Sequence, residues 1–242
     1  MNIVGKTDKG VVRTSNQDAF EFGMLTDNTS WVIVCDGMGG ANGGTVASSN
    51  AVKIIAEYIQ SSYQESMSLN SIKALLQSSV YGANVRLYDM SNKIESLNGM
   101  GTTVVALVIS NDVAQIVHVG DSRAYLFRDG KLVQLTKDHS IVQSMVDSGE
   151  ITPEEALIHP NKNVITRALG VKDEVDIEYN EIGFLPKQKL LICTDGLTNY
   201  VPVNEIEEIL NNNPTQNCAD LLVELANKNG GGDNITVVVV DN

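Results

Sequence analysis

The chain has 242 residues, with 17 lysines and arginines against 30 aspartates and glutamates, and a formal charge of −13. That balance excludes a basic face for a nucleic-acid backbone and a polybasic patch for an anionic membrane surface. At 43% apolar and 19% charged residues, the composition is that of a folded globular chain.

In chain order, the N-terminal MNIVGKTDKG lacks the apolar core of a signal peptide, and no apolar run approaches the roughly 18 residues of a membrane span. The expectation is a cytoplasmic protein without membrane insertion. Short apolar runs rich in β-branched residues predict strands at 31–35 (WVIVC), 103–109, 113–119, 124–127, 131–135, 190–193 and 235–240 (ITVVVV). Asn111-Asp112 and Asp129-Gly130 read as tight turns, so the strands between Gly101 and Leu135 are expected to be antiparallel and consecutive. Apolar residues at helical spacing predict helices over 44–61 and 70–90, with later ones at 140–148, 204–211 and 216–228. The stretch 140–172 is polar, broken by Pro153 and Pro160, and reads as a flap. No repeat or linker divides the chain. The expected fold is α+β: a four-layer α-β-β-α sandwich of two antiparallel sheets flanked by helices, in one domain over 1–242.

The chemistry lies in how the apolar runs end. WVIVC ends at Asp36, IVHVG at Asp121 and LLICT at Asp195; Asp233 precedes NITVVVV, and Asp18 precedes AFEFGM. One such aspartate is most often a turn residue. Several at the ends of core strands suggest a shared cleft, where like charges would repel unless cations lie between them. The histidines His118, His139 and His159 show no zinc spacing. His118 reads as a core or cross-strand residue, and His139 as a backbone partner at a strand–helix junction. All-oxygen donors select a hard ion, Mg²⁺ or Mn²⁺, and a pair of these suits hydrolysis at phosphorus. Other classes fail on spacing. Cys35, Cys193 and Cys218 show no disulfide framework, and the positions six beyond them, Ala41, Asn199 and Glu224, exclude a Cys-x5-Arg phosphatase. Asp36-Gly-Met lacks an Asp-x-Asp pair. The glycines after Asp36 break the dinucleotide fingerprint at Asn42 and lack the Gly-Lys-Ser/Thr of a P-loop.

Ordered blocks run through nearly the whole chain: RTSNQD (13–18), DGMGG (36–40), GMGTT (99–103), HVGDSR (118–123), LTKDHS (135–140), TRALG (166–170), TDGL (194–197) and GGDNIT (231–236). In these the sequence resembles the protein phosphatase 2C family, the metal-dependent Ser/Thr protein phosphatases, in its compact bacterial form. The resemblance implies two catalytic ions, Mn²⁺ or Mg²⁺, and a third as in bacterial members. Asp36 matches the carboxylate bridging the two catalytic ions, and the Gly37 carbonyl a ligand of the second. Asp195 and Asp233 match ligands of the first, and Asp121, with Asp195 shared, matches the ligand of the third. Arg13 matches the arginine that binds the substrate phosphate. Asp18 matches a carboxylate that holds coordinating water, and Asn234 is expected to orient its turn. Met38 departs from the many eukaryotic members with histidine there, and methionine offers no proton. Phosphoprotein substrates and a cognate Ser/Thr protein kinase are implied by the resemblance, and a monomer is expected. The alternative is a catalytically weak regulatory or binding relative of the same fold.

Overall fold

Strand β3 (Thr29–Met38) shows how the layers arise from a run of apolar residues. Because strand side chains alternate, Trp31, Ile33 and Cys35 face one way and Val32 and Val34 the other, and all are buried. The first set packs under helices α1 (Gly40–Ser62) and α2 (Leu69–Lys93) with Ala47, Ile55, Leu76 and Leu87. The second set meets Leu190, Ile192, Val238 and Val240 of the other sheet. A strand covered on both faces must be apolar on both, which is why it reads as an unbroken run. Each such side chain fully removed from water contributes about 1.5–3 kcal/mol.

The computed structural model describes all 242 residues apart from the side chains of Ala41 and Asn42; the break in the dinucleotide fingerprint at Asn42 thus falls outside the described side chains. The remaining elements are β1 (Asn2–Asp8), β2 (Asp18–Thr26), β4 (Gly101–Thr102), β5 (Val104–Ser110), β6 (Val113–Val119), β7 (Arg123–Arg128) and β8 (Lys131–Gln134). They continue with α3 (Ile141–Asp147), α4 (Pro153–Ile158), β9 (Glu178–Gly183), β10 (Lys189–Cys193), α5 (Asp195–Thr198), α6 (Val203–Asn212), α7 (Thr215–Lys228) and β11 (Ile235–Asp241). One sheet has the order β1-β11-β10-β7-β8 and the other β2-β3-β5-β6-β9, with β4 paired to the end of β3. Every strand pair is antiparallel. Helices α6 and α7 close the far face over Leu191, Cys193, Val237 and Val239. The four-layer α-β-β-α sandwich is as expected.

The expected run of consecutive strands from Gly101 to Leu135 is corrected in one respect. The hairpins β5–β6 and β7–β8 form around Asn111-Asp112 and Asp129-Gly130, whose positive φ values of 51°, 59°, 51° and 74° suit two-residue hairpin turns. Yet β6 pairs β9 while β7 pairs β10, so the chain changes sheets at Gly120–Ser122. Gly120, with φ 107°, lets the chain turn out of the first sheet, and the distant partners β9 and β10 decide which sheet each strand joins. Strands β1, β2 and β9 carry no strand forecast, because their residues are mostly half-exposed. The flap contains a short helix, α4, started by Pro153 at its first turn and by a capping box between Thr152 and Glu155.

A Cβ at Gly120 would lie 2.6–2.7 Å from the Thr103 side chain, and the backbone there is left-handed. Gly120→Ala is therefore expected to destabilise the protein by about 2 kcal/mol or more, from backbone strain and overpacking together. Urea unfolding with an unchanged midpoint would contradict this.

Candidate metal centre

Antiparallel register sets Asp18 of β2 directly opposite Asp36 of β3. The Asp36 backbone is fixed from three sides. Its amide donates to the Thr103 hydroxyl (2.9 Å), and its carbonyl accepts from the Thr103 amide (2.9 Å) and the Thr102 hydroxyl (2.8 Å). The Thr103 hydroxyl also meets that of Ser122 at 2.7 Å, which ties the end of β3 to the sheet-crossing turn that carries Asp121. Asp195 opens α5 immediately after β10, and its Oδ2 accepts from the Asn199 amide at 2.9 Å. Asp233 precedes β11; its Oδ1 accepts from the Asn234 amide at 2.8 Å and its Oδ2 from Arg13 Nη2 at 2.8 Å. The Asn234 side chain accepts from the Gln17 amide (2.8 Å) and donates to the Lys9 and Ser15 carbonyls (both 2.9 Å). It thereby fastens the loop bearing Arg13 to the start of β11.

Strand ends from both sheets thus meet at one opening. Arg13, Asp36, Gly37, Asp121, Asp195 and Asp233 line a cavity of about 450 Å³. Asp18 is buried beside them. Its Oδ2 accepts from the hydroxyls of Thr194 (2.9 Å) and Thr236 (2.7 Å), while its Oδ1 is buried with no hydrogen-bond partner among the described residues. Burial is the largest cause of the raised pKa values here, and mutual repulsion adds to it. Asp18 is pushed up to about 7, by burial and by Asp195 and Asp233, against the two threonine hydroxyls. Asp36 is held well above the usual carboxylate range by burial and by Asp18, Asp195, Asp121 and Asp233. Asp121 rises to about 7, through burial and the charges of Asp195 and Asp138. Asp195 rises to about 6, through burial and Asp233, with Arg123, Asn199 and Arg13 opposing. A buried set of oxygen donors with excess negative charge and an orphaned carboxylate oxygen fits hard divalent cations.

Comparison with known proteins agrees with this chemistry. The family description "Protein phosphatase 2C" matches residues 11–230. The chain belongs to the protein phosphatase 2C family. The serine/threonine phosphatase Stp of Listeria monocytogenes serotype 4b is 41% identical over 100% of this chain and 96% of its own length. The crystal structure of the Mycobacterium tuberculosis serine/threonine phosphatase PstP/Ppp superposes with a TM-score of 0.90 at 36% identity, covering 99% of this chain and 97% of that one. The PstP catalytic domain crystallised with two manganese ions gives a TM-score of 0.87 at 35% identity, covering 99% and 97%. The chain is a serine/threonine protein phosphatase of the PP2C type.

Every site residue expected from this PP2C sequence lies at or beside the cleft. Arg13 is half-exposed at its mouth and pairs with Asp233. Supporting polar residues complete the site beyond those that the sequence singles out. Thr103, Thr194, Thr236 and Asn199 hold the carboxylates or their backbones, and Asn163 and Ile165 bring the flap to the cleft wall. Thr103, Thr194 and Thr236 lie inside the GMGTT, TDGL and GGDNIT blocks, which was the available signal. Among the described residues one histidine group also forms, His118, His139 and Glu178, on separate elements. Histidine spacing along the chain gave no hint of it.

The pH dependence of the metal-free fold follows from these acidities. Asp18 has a folded pKa of about 7 against an ordinary 3.8, so its contribution to stability is fully present below about pH 4 and is lost as pH rises through 7. Asp36→Asn removes one of the repelling charges at nearly constant shape. In chelator-treated protein at pH 7.5 it is expected to raise Tm by roughly 2–4 °C, for about 1 kcal/mol, with the gain shrinking toward pH 5. A lower Tm for the variant at pH 7.5 would contradict the repulsion.

Proposed function

We propose that the chain hydrolyses phosphoserine and phosphothreonine on proteins by direct attack of water at a binuclear Mn²⁺ or Mg²⁺ centre, with a third ion at Asp121. The observation that carries this reading is the convergence of Asp36, Asp121, Asp195 and Asp233 on one cleft with Arg13 at its mouth. When bound, two such ions lower the pKa of a water and offset charge on the phosphoryl oxygens. Asp36 and the Gly37 carbonyl, with Asp195 and Asp233, would hold them. Asp18 is suited to accept a hydrogen bond from water through its free Oδ1. Arg13 donates to Asp233 through Nη2 alone among the described residues, which leaves its other nitrogens for a phosphate oxygen. Met38 lines the cleft and offers no proton, which leaves protonation of the leaving alkoxide to water or to another group. A covalent cysteine route is disfavoured. Cys35, Cys193 and Cys218 are buried, and burial pushes the Cys193 thiol up to about 12.

The test is turnover of a phosphothreonine peptide by chelated protein to which Mn²⁺ is restored. Arg13→Ala is expected to lower kcat/KM by about 10²-fold. Loss of a ligand should exceed the roughly 10–100-fold effect of losing a supporting partner, so Asp36→Asn is expected to abolish turnover. Phosphate release from the folded protein without a divalent ion would sink the proposal.

Specificity is assigned to the flap at 140–172. Beneath it a second cavity of about 490 Å³ is lined by Leu132, Val146, Pro153, Leu157, Lys162 and Asn199. Asn199 also bonds Asp195, so this cavity adjoins the cleft and suits residues flanking the phosphorylated one. Leu157→Asp is expected to lower kcat/KM on phosphopeptides by about tenfold, or 1.4 kcal/mol, and to leave p-nitrophenyl phosphate hydrolysis within about twofold. Equal loss on both substrates would count against the assignment. Among the described residues no helix is long and apolar enough to cross a membrane. The proposal is completed by a monomeric catalytic domain over 1–242, acting in the cytoplasm against the products of a Ser/Thr protein kinase.

A further inference from the structure

Strand β6 ends at Val119, so the Gly120 amide emerges at the sheet crossing with no ladder partner. It is buried, and its acceptor is the ring of His139, with Gly120 N to Nδ1 at 3.0 Å. The His139 amide in turn donates to the Gly120 carbonyl at 2.9 Å. The His139 carbonyl accepts from the Thr166 amide at 2.8 Å, and Ser140 bridges Ile165 beside it. One residue therefore clasps the turn before Asp121 and both roots of the flap. We propose that His139 is a positioning residue that holds the Gly120–Asp121 turn against the flap roots, so that cation binding at Asp121 and the order of the flap base are coupled. This rests on the reading that Asp121 ligates a third ion.

The hydrogen bonds fix how the ring works. Nδ1 accepts, so the proton sits on Nε2, which faces Glu178 Oε1 at 3.1 Å. Arg167 Nη1 reaches the same carboxylate oxygen at 3.4 Å. The His118 ring stacks on that of His139, with centroids 4.8 Å apart and planes 18° apart, and its Nε2 donates to the Lys137 carbonyl at 2.9 Å. His118, His139 and Glu178 outline a cation site, but each ring nitrogen facing it is already engaged and the Arg167 guanidinium lies 3.3 Å from His139 Nε2. Positioning is therefore the role these contacts support, not a second metal. By linkage, an ion that requires the turn in place also stabilises the clasp on the flap.

Two amide substitutions separate the halves of the ring. Asparagine places its carbonyl oxygen where Nδ1 stands and keeps the acceptor for Gly120. Glutamine reaches the Nε2 position and loses that acceptor. Chelated protein is titrated with Mn²⁺ by calorimetry, and Asp121→Asn identifies the step that belongs to Asp121. His139→Asn is expected to bind that ion within about threefold of the unsubstituted protein, and His139→Gln to weaken it by about tenfold or more, with the other ions unchanged. An unaltered His139→Gln titration, or an equal loss in both variants, overturns the proposal. Only two ions in the unsubstituted protein would remove the three-ion reading and this inference with it, while leaving hydrolysis at the binuclear pair standing. Should His139→Gln fail to fold, amide hydrogen exchange in the unsubstituted protein decides. The Gly120 and Thr166 amides are expected to slow on the Asp121-dependent Mg²⁺ step and not in Asp121→Asn; exchange indifferent to that step overturns the coupling.

Discussion

The mutual repulsion of buried carboxylates governs this molecule. Asp18 and Asp121 are buried and Asp36 and Asp195 half-buried, so water screens them poorly, and neighbouring carboxylates raise the pKa of each. No fold places such groups together for stability's sake. The surrounding layers must therefore be strong enough to hold an arrangement that its own charges oppose, an opposition that divalent cations would turn into attraction once bound. The chain's formal charge of −13 takes on a local meaning here. It excludes a basic phosphate-binding face, yet the most concentrated acidity is the part suited to meet phosphate once ions are bound.

The sandwich meets this demand by drawing on both sheets. Asp18 and Asp36 come from adjacent strands of one, and Asp195 and Asp233 from the ends of adjacent strands of the other. Asp121 stands where the chain passes between the sheets. Threonine hydroxyls span the joints: Thr103 links Asp36 to Ser122, and Thr194 and Thr236 grip Asp18. A shear between the sheets would separate the carboxylates, so packing of the apolar layer between them and geometry of the cleft are one problem.

Much of this was legible in the sequence where a residue's surroundings are uniform. Strands buried on both faces announce themselves as unbroken apolar runs, and β3, β5, β6, β10 and β11 were readable for that reason. The half-exposed β1 and β2 and the polar β9 were not, because their place in a sheet comes from a neighbour and not from their own pattern. The crossing at Gly120 was equally hidden. A hairpin turn carries a local signature, whereas the choice of sheet depends on strands β9 and β10, far along the chain. At the site, charged residues next to strand ends were visible as anomalies. The hydroxyl and amide groups that brace them were not, since threonine in a strand is unremarkable until its partner is known. His139 illustrates the limit well: the sequence gives it a place beside a helix start, and only the fold supplies Gly120.

The pairing of β1 with β11 sets the timetable of assembly. Residues Asn2–Asp8 hydrogen-bond along their length to Asp241–Ile235, and β11 also separates β1 from β10 in the sheet. During synthesis on the ribosome, β1 emerges early and must wait, with its edge unpaired, until nearly all of the residues described here have left the exit tunnel. The sheet of β2, β3, β5, β6 and β9 has all its strands by Gly183 and can form ahead of it. Asp233 arrives with the same late segment. A nascent chain therefore can complete the half covered by α1 and α2 first and its full set of carboxylates last, which keeps the repulsive cluster from existing before the layers that restrain it.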